Sequence, residues 1–158
     1  MHEEKKRQDA ELLQLVTFSI GEEEFGVEIL KVQEIIRMLE ITKVPRAPEF
    51  VEGVINLRGK VIPILDLRKR FGLLSKDHDK NTRIIVIEIN SMIVGFVVDS
   101  VSEVLRIPAN TVEPPPPVVS GLDSEYISGV GKLEDRLLIL LDLNRLLSNE
   151  EQNVLGQV

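Results

Sequence analysis

The sequence predicts an all-β fold with short helices, made of two similar halves that share one apolar core. Three observations carry this reading. The skeleton Gly53-Val54 … Leu57 … Ile64-Leu65-Asp66-Leu67 recurs as Gly129-Val130 … Leu133 … Leu140-Leu141-Asp142-Leu143 at a constant offset of 76 residues. Upstream of each copy, Phe25-Gly26-Val27 and Val32-Gln33-Glu34-Ile35-Ile36 are echoed by Val94-Gly95-Phe96 and Val101-Ser102-Glu103-Val104-Leu105 at an offset of 69. Two long units in register read as a duplicated fold, with a groove between the halves as the natural binding place. The third observation is composition. Of 158 residues 43% are hydrophobic and only 4% aromatic, so Val, Ile and Leu supply the core, and β-branched residues suit the pleated surface of a sheet.

The elements follow in order. Residues 1–11, rich in Glu, Lys and Arg, read as a disordered charged tail ahead of a domain over 12–150, with a flexible C-terminal tail over 151–158. In Gln14-Leu15-Val16-Thr17-Phe18-Ser19-Ile20 the alternation of Val16, Phe18 and Ile20 predicts a half-buried strand. Gly21-Glu22-Glu23-Glu24 is a polar turn, and Phe25-Gly26-Val27 returns as the hairpin partner. Over 28–38 the apolar spacing fits a helix or a strand. The echo over 98–106, rich in Val, favours a short helical turn followed by a strand. Pro45-Arg46-Ala47-Pro48 opens a loop or single helical turn ending at Gly53. Val54 to Leu57 and Lys60 to Leu65 then form a hairpin turned at Arg58-Gly59. Pro63 lacks an N–H for the ladder, which places its strand at an edge or at a bulge. Residues 67–71 form a short helix stopped by Gly72, and 75–81 form a polar link between halves. Residues 83–89 and 93–98 are near-continuous apolar strands. Pro114 to Pro117 form a stiff polyproline-type connector. Residues 127–142 repeat the second hairpin, and a terminal helix runs from Leu143 to about Glu151.

Charge and composition exclude several function classes. With 19 Lys+Arg against 26 Asp+Glu the net charge is −7, which opposes non-specific nucleic-acid binding. No apolar run approaches the length of a membrane span, and no signal peptide follows the charged N-terminus. The absence of Cys fits a reducing cytoplasm and removes thiol chemistry. Asp66 and Asp142 sit at equivalent places, as the shared-proton carboxylates of aspartic proteases do. Leu67 and Leu143 follow them, however, and each Asp ends a strand and opens a helix, the place of an N-cap worth on the order of 1 kcal/mol. His2 and His78 belong to no triad or metal set, and Gly129-x-Gly131 is no phosphate loop. Arg68-Lys69-Arg70 reads as the solvated, C-terminal charge of its helix, and Pro114 and Pro117 as a loop brace. No cofactor is called for. Arg58 stands out at an otherwise apolar hairpin, where the second copy has Glu134-Asp135. The core repeat is thus kept while the surface is basic on one half and acidic on the other, which suits two different partners or a head-to-tail assembly.

The run Ile29-Leu30-Lys31-Val32-Gln33-Glu34-Ile35, the hairpin Gly53-Val54-Ile55-Asn56-Leu57-Arg58-Gly59-Lys60-Val61-Ile62-Pro63-Ile64-Leu65-Asp66-Leu67-Arg68, and Val97-Val98-Asp99-Ser100-Val101-Ser102-Glu103-Val104-Leu105 with Arg136-Leu137-Leu138-Ile139-Leu140-Leu141-Asp142 resemble the CheW family of bacterial chemotaxis coupling proteins. The similarity runs from about Gln14 to Leu147. It implies two intertwined five-stranded β-barrels with a C-terminal helix, and a non-catalytic cytoplasmic adaptor recruited to membrane-associated receptor arrays. Its partners would be the helical-hairpin tip of a chemoreceptor and the regulatory domain of the histidine kinase CheA, with ring assembly as a further implication. The receptor-facing positions fall at Val32, Glu34 and Arg58, with Val27, Leu30, Val98 and Val101 as apolar lining. A kinase or ring contact falls around Glu113 and Val118, where four prolines depart from the expected variety. The chain is too short for the added receiver domain of CheV proteins. Two rival readings remain: a coupling domain of a non-chemotaxis kinase pathway, and a small-molecule-binding β-barrel protein.

Overall fold

The structure, a computed structural model, describes residues 11–115 and 126–156. Among the described residues eleven strands form two sheets. The first half contributes β1 (Leu12–Ile20), β2 (Glu23–Glu28), β3 (Val32–Arg37), β4 (Val51–Leu57) and β5 (Lys60–Leu65). The second contributes β6 (Arg83–Ile89), β7 (Met92–Val98), β8 (Ser100–Pro108), β9 (Val112–Glu113), β10 (Ile127–Lys132) and β11 (Leu137–Leu141). One sheet has the order β8-β1-β2-β11-β10-β9, the other β3-β6-β7-β5-β4. The halves therefore exchange hairpins: β1 and β2 complete the barrel of the second half, and β6 and β7 that of the first.

Register shows how deep the duplication runs. The pairs Gln14↔Arg106 and Val16↔Val104 match Arg83↔Arg37 and Ile85↔Ile35 at an offset of 69. The parallel pair Leu140↔Gly26 matches Ile64↔Gly95. Each barrel closes alike. The two-residue β9 pairs β10 in one. In the other Thr42 alone bridges Val54, its N–H donating to the Val54 carbonyl at 2.8 Å. Five long strands plus this closure make each barrel. The repeated glycines Gly53 and Gly129 sit where closure brings backbones together: a Cβ at Gly53 would lie 2.5 Å from the Thr42 carbonyl oxygen, and one at Gly129 2.9 Å from that of Glu113.

Period-2 alternation divides the apolar residues among three cores. Ile55, Ile62, Ile64, Ile84 and Val86 fill one barrel, and Leu15, Ile107, Leu138 and Leu140 the other. The opposite faces of the exchanged hairpins form the shared core, where Val16, Phe18, Ile20, Phe25 and Val27 meet Ile85, Ile87, Ile89, Val94, Phe96 and Val98. Phe18 and Phe96 join the two sheets with ring centroids 5.5 Å apart.

Several expectations need correction. β1 is buried on both faces from Leu15 to Phe18, because one face fills a barrel and the other the shared core. The segment opened by Pro45 makes turns only, and β4 begins at Val51, before Gly53. β5 lies inside its sheet. Pro63 is tolerated there because the parallel ladder to β7 engages only Ile64 and Leu65. The terminal helix is split: a 3-10 turn covers Leu143–Arg145 and a separate helix covers Asn149–Leu155. Ser148 nucleates the latter with a capping box to Glu151. Leu155 is 4% exposed within the shared core, so the packed domain extends past Glu151 instead of giving way to a free tail there. The earlier short helix, α1 (Leu67–Arg70), stops at Gly72 as expected, with φ +73°; the terminal helix is α2 (Asn149–Leu155). The 3-10 turn Ile29–Lys31 before β3 is also as expected. Residues 1–10 of the predicted tail, and Pro116, Pro117 and Val118, lie outside the described residues.

Candidate functional site

Arg58 occupies the tip of the β4–β5 hairpin with φ +51°, and Gly59 follows with φ +87°. Positive φ at both central positions is the turn geometry that matches the twist of a two-residue hairpin, and Gly carries it without steric cost. Asn56 braces the turn by accepting the Gly59 N–H at 2.9 Å. The Asn-x-x-Gly spacing is the sequence signal for this brace. Barrel closure then carries the tip towards β3, although β3 and β4 lie at opposite ends of the sheet order. Both terminal nitrogens of Arg58 meet the Glu34 carboxylate, Nη1 donating to Oε1 at 3.1 Å and Nη2 donating to Oε2. The hydrogen bonds from Arg58 hold the Glu34 carboxyl below its ordinary range, with the nearby positive charge adding to the effect. Arg58 stays 70% exposed and Glu34 32%. The pair is a polar surface element, open to a partner.

The other expected positions divide by burial. Val32 is half-buried at the margin of the shared core, as is Val101, its equivalent on β8. Leu30, on the turn before β3, is 93% exposed, leaving its apolar side chain in water. Val27 and Val98 are 1% and 0% exposed. They line nothing on the surface, since their side chains build the core between barrels, and a partner would have to unfold the sheet to reach them. The half-exposed Val32 and Val101 mark the margin of that core. Glu113 is exposed on β9 and paired with Lys132, Nζ to Oε1 2.9 Å.

The second barrel carries an inverted version of the Glu34–Arg58 element. Glu103 is the equivalent of Glu34, but its neighbours at the tip are Glu134 and Asp135. The cation comes instead from Arg136, whose Nη2 lies 3.2 Å from Glu103 and whose Nε lies 2.9 Å from Glu24. Residue types alone did not reveal this arrangement, though the offset of 69 marks Glu103 as the position to inspect.

On α1 Lys69 is exposed, as expected of a solvated face, whereas Arg68 and Arg70 turn to partners. Arg68 Nη2 meets Asp99 at 2.6 Å with both side chains under 20% exposed. Asp99 also accepts the Gly21 N–H at 2.8 Å, so one carboxylate joins α1 of one barrel to the β1–β2 turn of the other. Arg70 pairs with Glu151 and stacks over the rings of Phe50 and Tyr126, docking the terminal helix. The repeated aspartates are caps. Asp66 accepts the Lys69 N–H at 3.1 Å and Asp142 the Asn144 N–H at 3.0 Å. Among the described residues no group of His, Asp or Glu is placed to hold a metal ion, and no helix is long and apolar enough to cross a membrane.

Residues 14–151 match the CheW-like domain. The chain is 42% identical over 145 residues to the chemotaxis protein CheW of Klebsiella aerogenes, covering 92% of this chain and 87% of that protein. It is 37% identical over 146 residues to the CheW of Helicobacter pylori, covering 92% and 88%. The crystal structure of the scaffolding protein TtCheW from Thermoanaerobacter tengcongensis superposes with a TM-score of 0.81 at 43% identity, covering 87% of this chain and 89% of that one.

Proposed function

The chain belongs to the CheW-like family of chemotaxis scaffold proteins, and on that premise we propose that it couples chemoreceptors to the histidine kinase CheA without performing chemistry of its own. The observation that carries the reading is the Glu34–Arg58 pair beside Val32. A receptor helix offers an apolar stripe flanked by polar side chains. Val32, Val101 and the exposed Leu30 supply apolar area to such a stripe, at roughly 25 cal/mol per Å² buried. Glu34 and Arg58 supply an acceptor and a donor that fix its register by charge-assisted hydrogen bonds. The kinase regulatory domain would use a separate surface, which includes Glu113.

The test is titration of wild type and Arg58→Glu against a receptor tip fragment and, separately, against the kinase regulatory domain. Arg58 is exposed at a turn, so the fold tolerates its loss. The new carboxylate, however, faces Glu34 and repels an acidic receptor face. The expected result is a loss of receptor binding of tenfold or more, about 1.4 kcal/mol, with kinase binding unchanged. Equal receptor affinity for both proteins, or equal weakening towards both partners, overturns the assignment.

A further inference from the structure

The two members of the Glu34–Arg58 pair are placed by different means. Glu34 is fixed by its strand, for β3 runs antiparallel to β6 and Glu34 lies opposite Val86. Arg58 lies beyond its own ladder, since Leu57↔Lys60 is the last pair of the β4–β5 hairpin. It also occupies the left-handed region, at φ +51°. A residue other than glycine is uncommon there and persists where its surroundings hold it. What holds it is Asn56, whose Oδ1 accepts the Gly59 N–H at 2.9 Å and so closes a ring around Leu57 and Arg58. Asn56 is itself exposed, so this bond orders the turn and adds nothing to the core.

The second tip is held otherwise. At the offset of 76 Asn56 becomes Lys132, which pairs with Glu113, and Gly59 becomes Asp135. The Leu133 N–H donates to the Arg136 carbonyl at 2.9 Å, and Glu24 and Glu103 hold the Arg136 side chain. Arg136 is 35% exposed where Arg58 is 70% exposed, so the brace belongs to the tip that presents its cation to solvent. We propose that Asn56 is the positioning residue of the receptor site described above: its carboxamide keeps Arg58 left-handed, and thereby keeps the guanidinium on Glu34 in the register a receptor helix meets. Without that acceptor the tip samples other turns and Arg58 leaves Glu34. A receptor then finds the donor in place in a fraction of the molecules, and its apparent affinity falls by that fraction.

Asn56→Ala removes the acceptor, and Asn56→Asp returns one at the same reach. In Asn56→Ala the one-bond Cα–Hα coupling of Arg58 should lose its positive-φ signature, and the Glu34 carboxyl should titrate at a higher pH than in wild type. Asn56→Asp should keep the positive φ. Binding of a receptor tip fragment should weaken about fivefold in Asn56→Ala and stay near wild type in Asn56→Asp. Binding of the kinase regulatory domain and the thermal midpoint should be the same in all three proteins. A left-handed Arg58 with a wild-type Glu34 titration in Asn56→Ala overturns the proposal. So does equal loss of receptor binding in the Asp variant, or unchanged receptor binding in Asn56→Ala where Arg58→Glu is impaired. Weakening towards both partners with a lowered midpoint would make Asn56 merely structural and overturns it too. Receptor binding unaffected by Arg58→Glu would instead sink the receptor assignment, and the coupling and the titration, which need no receptor, still decide whether Asn56 places Arg58.

Discussion

Glu34 and Arg58 show how little of a surface pair's value is stability. Both groups are solvated enough that screening leaves a small net contribution, and the pair acts by presenting donors and an acceptor in fixed positions. The depressed carboxyl of Glu34 makes this measurable. A carboxylate lowered by its partner contributes fully above the ordinary carboxylate range and loses that contribution as pH falls through the lowered value. In Arg58→Gln the Glu34 carboxyl should titrate at a higher pH than in wild type, followed by NMR of its side-chain carbon. An unchanged titration would show that the pair is not formed in solution. The two capping aspartates make the opposite kind of residue, structural and replaceable. Asp66→Asn and Asp142→Asn should stay within about 1 kcal/mol of wild type, while Ala at either position should cost about 1 kcal/mol, read from denaturant midpoints. Partner binding should survive the Asn changes.

Among elements, the hairpins β4–β5 and β10–β11 share register and differ in turn. The first tip has positive φ at Arg58 and Gly59 and the second has neither residue in that region, so one core pattern supports two surface chemistries. Closure is the more demanding feature. Gly53 faces the Thr42 carbonyl at the point where the first barrel closes, and backbone cannot yield as a side-chain tip can. Gly53→Ala should therefore cost about 1–3 kcal/mol, the usual range for overpacking, whereas Gly72→Asn at an open, solvent-facing turn should cost much less. Chemical denaturation of the two variants decides between them. A Gly53→Ala protein as stable as wild type would mean that the Thr42–Val54 bridge is dispensable. The Arg68–Asp99 and Arg70–Glu151 pairs work at this scale too, tying α1 to the other barrel and to the terminal helix.

For the whole molecule, strand exchange makes the halves inseparable. Residues 1–75 alone would keep β3, β4 and β5 without β6 and β7, and would leave Phe18, Ile20 and Phe25 facing water. Each such side chain contributes about 1.5–3 kcal/mol when buried, and a domain's net stability is only about 5–15 kcal/mol. The fragment ending at Ser75 should therefore be unfolded by circular dichroism, and the full chain should melt in one cooperative transition dominated by sheet signal. A fragment that folds stably by itself would show that the exchanged hairpins do not carry the core.

The sequence by itself determined the duplication, nearly every strand, the capping role of Asp66 and Asp142, and the family. Each of these rests on local chemistry: alternation with period 2, turn residues at the breaks, and a carboxylate before a helix. The tip pair Glu34 and Arg58 was named from the family motif. Only the tertiary structure brought them into contact, because barrel closure joins strands that no local pattern pairs. Burial was likewise decided in three dimensions. Val27 and Val98 are apolar lining in what the family resemblance implies, and become core because the exchanged hairpins of the two sheets pack face to face. Arg68 and Arg70 look solvated beside one another on a short helix. They are drawn inward because Asp99 and Glu151, distant in sequence, offer the carboxylates that make a partly buried guanidinium tolerable.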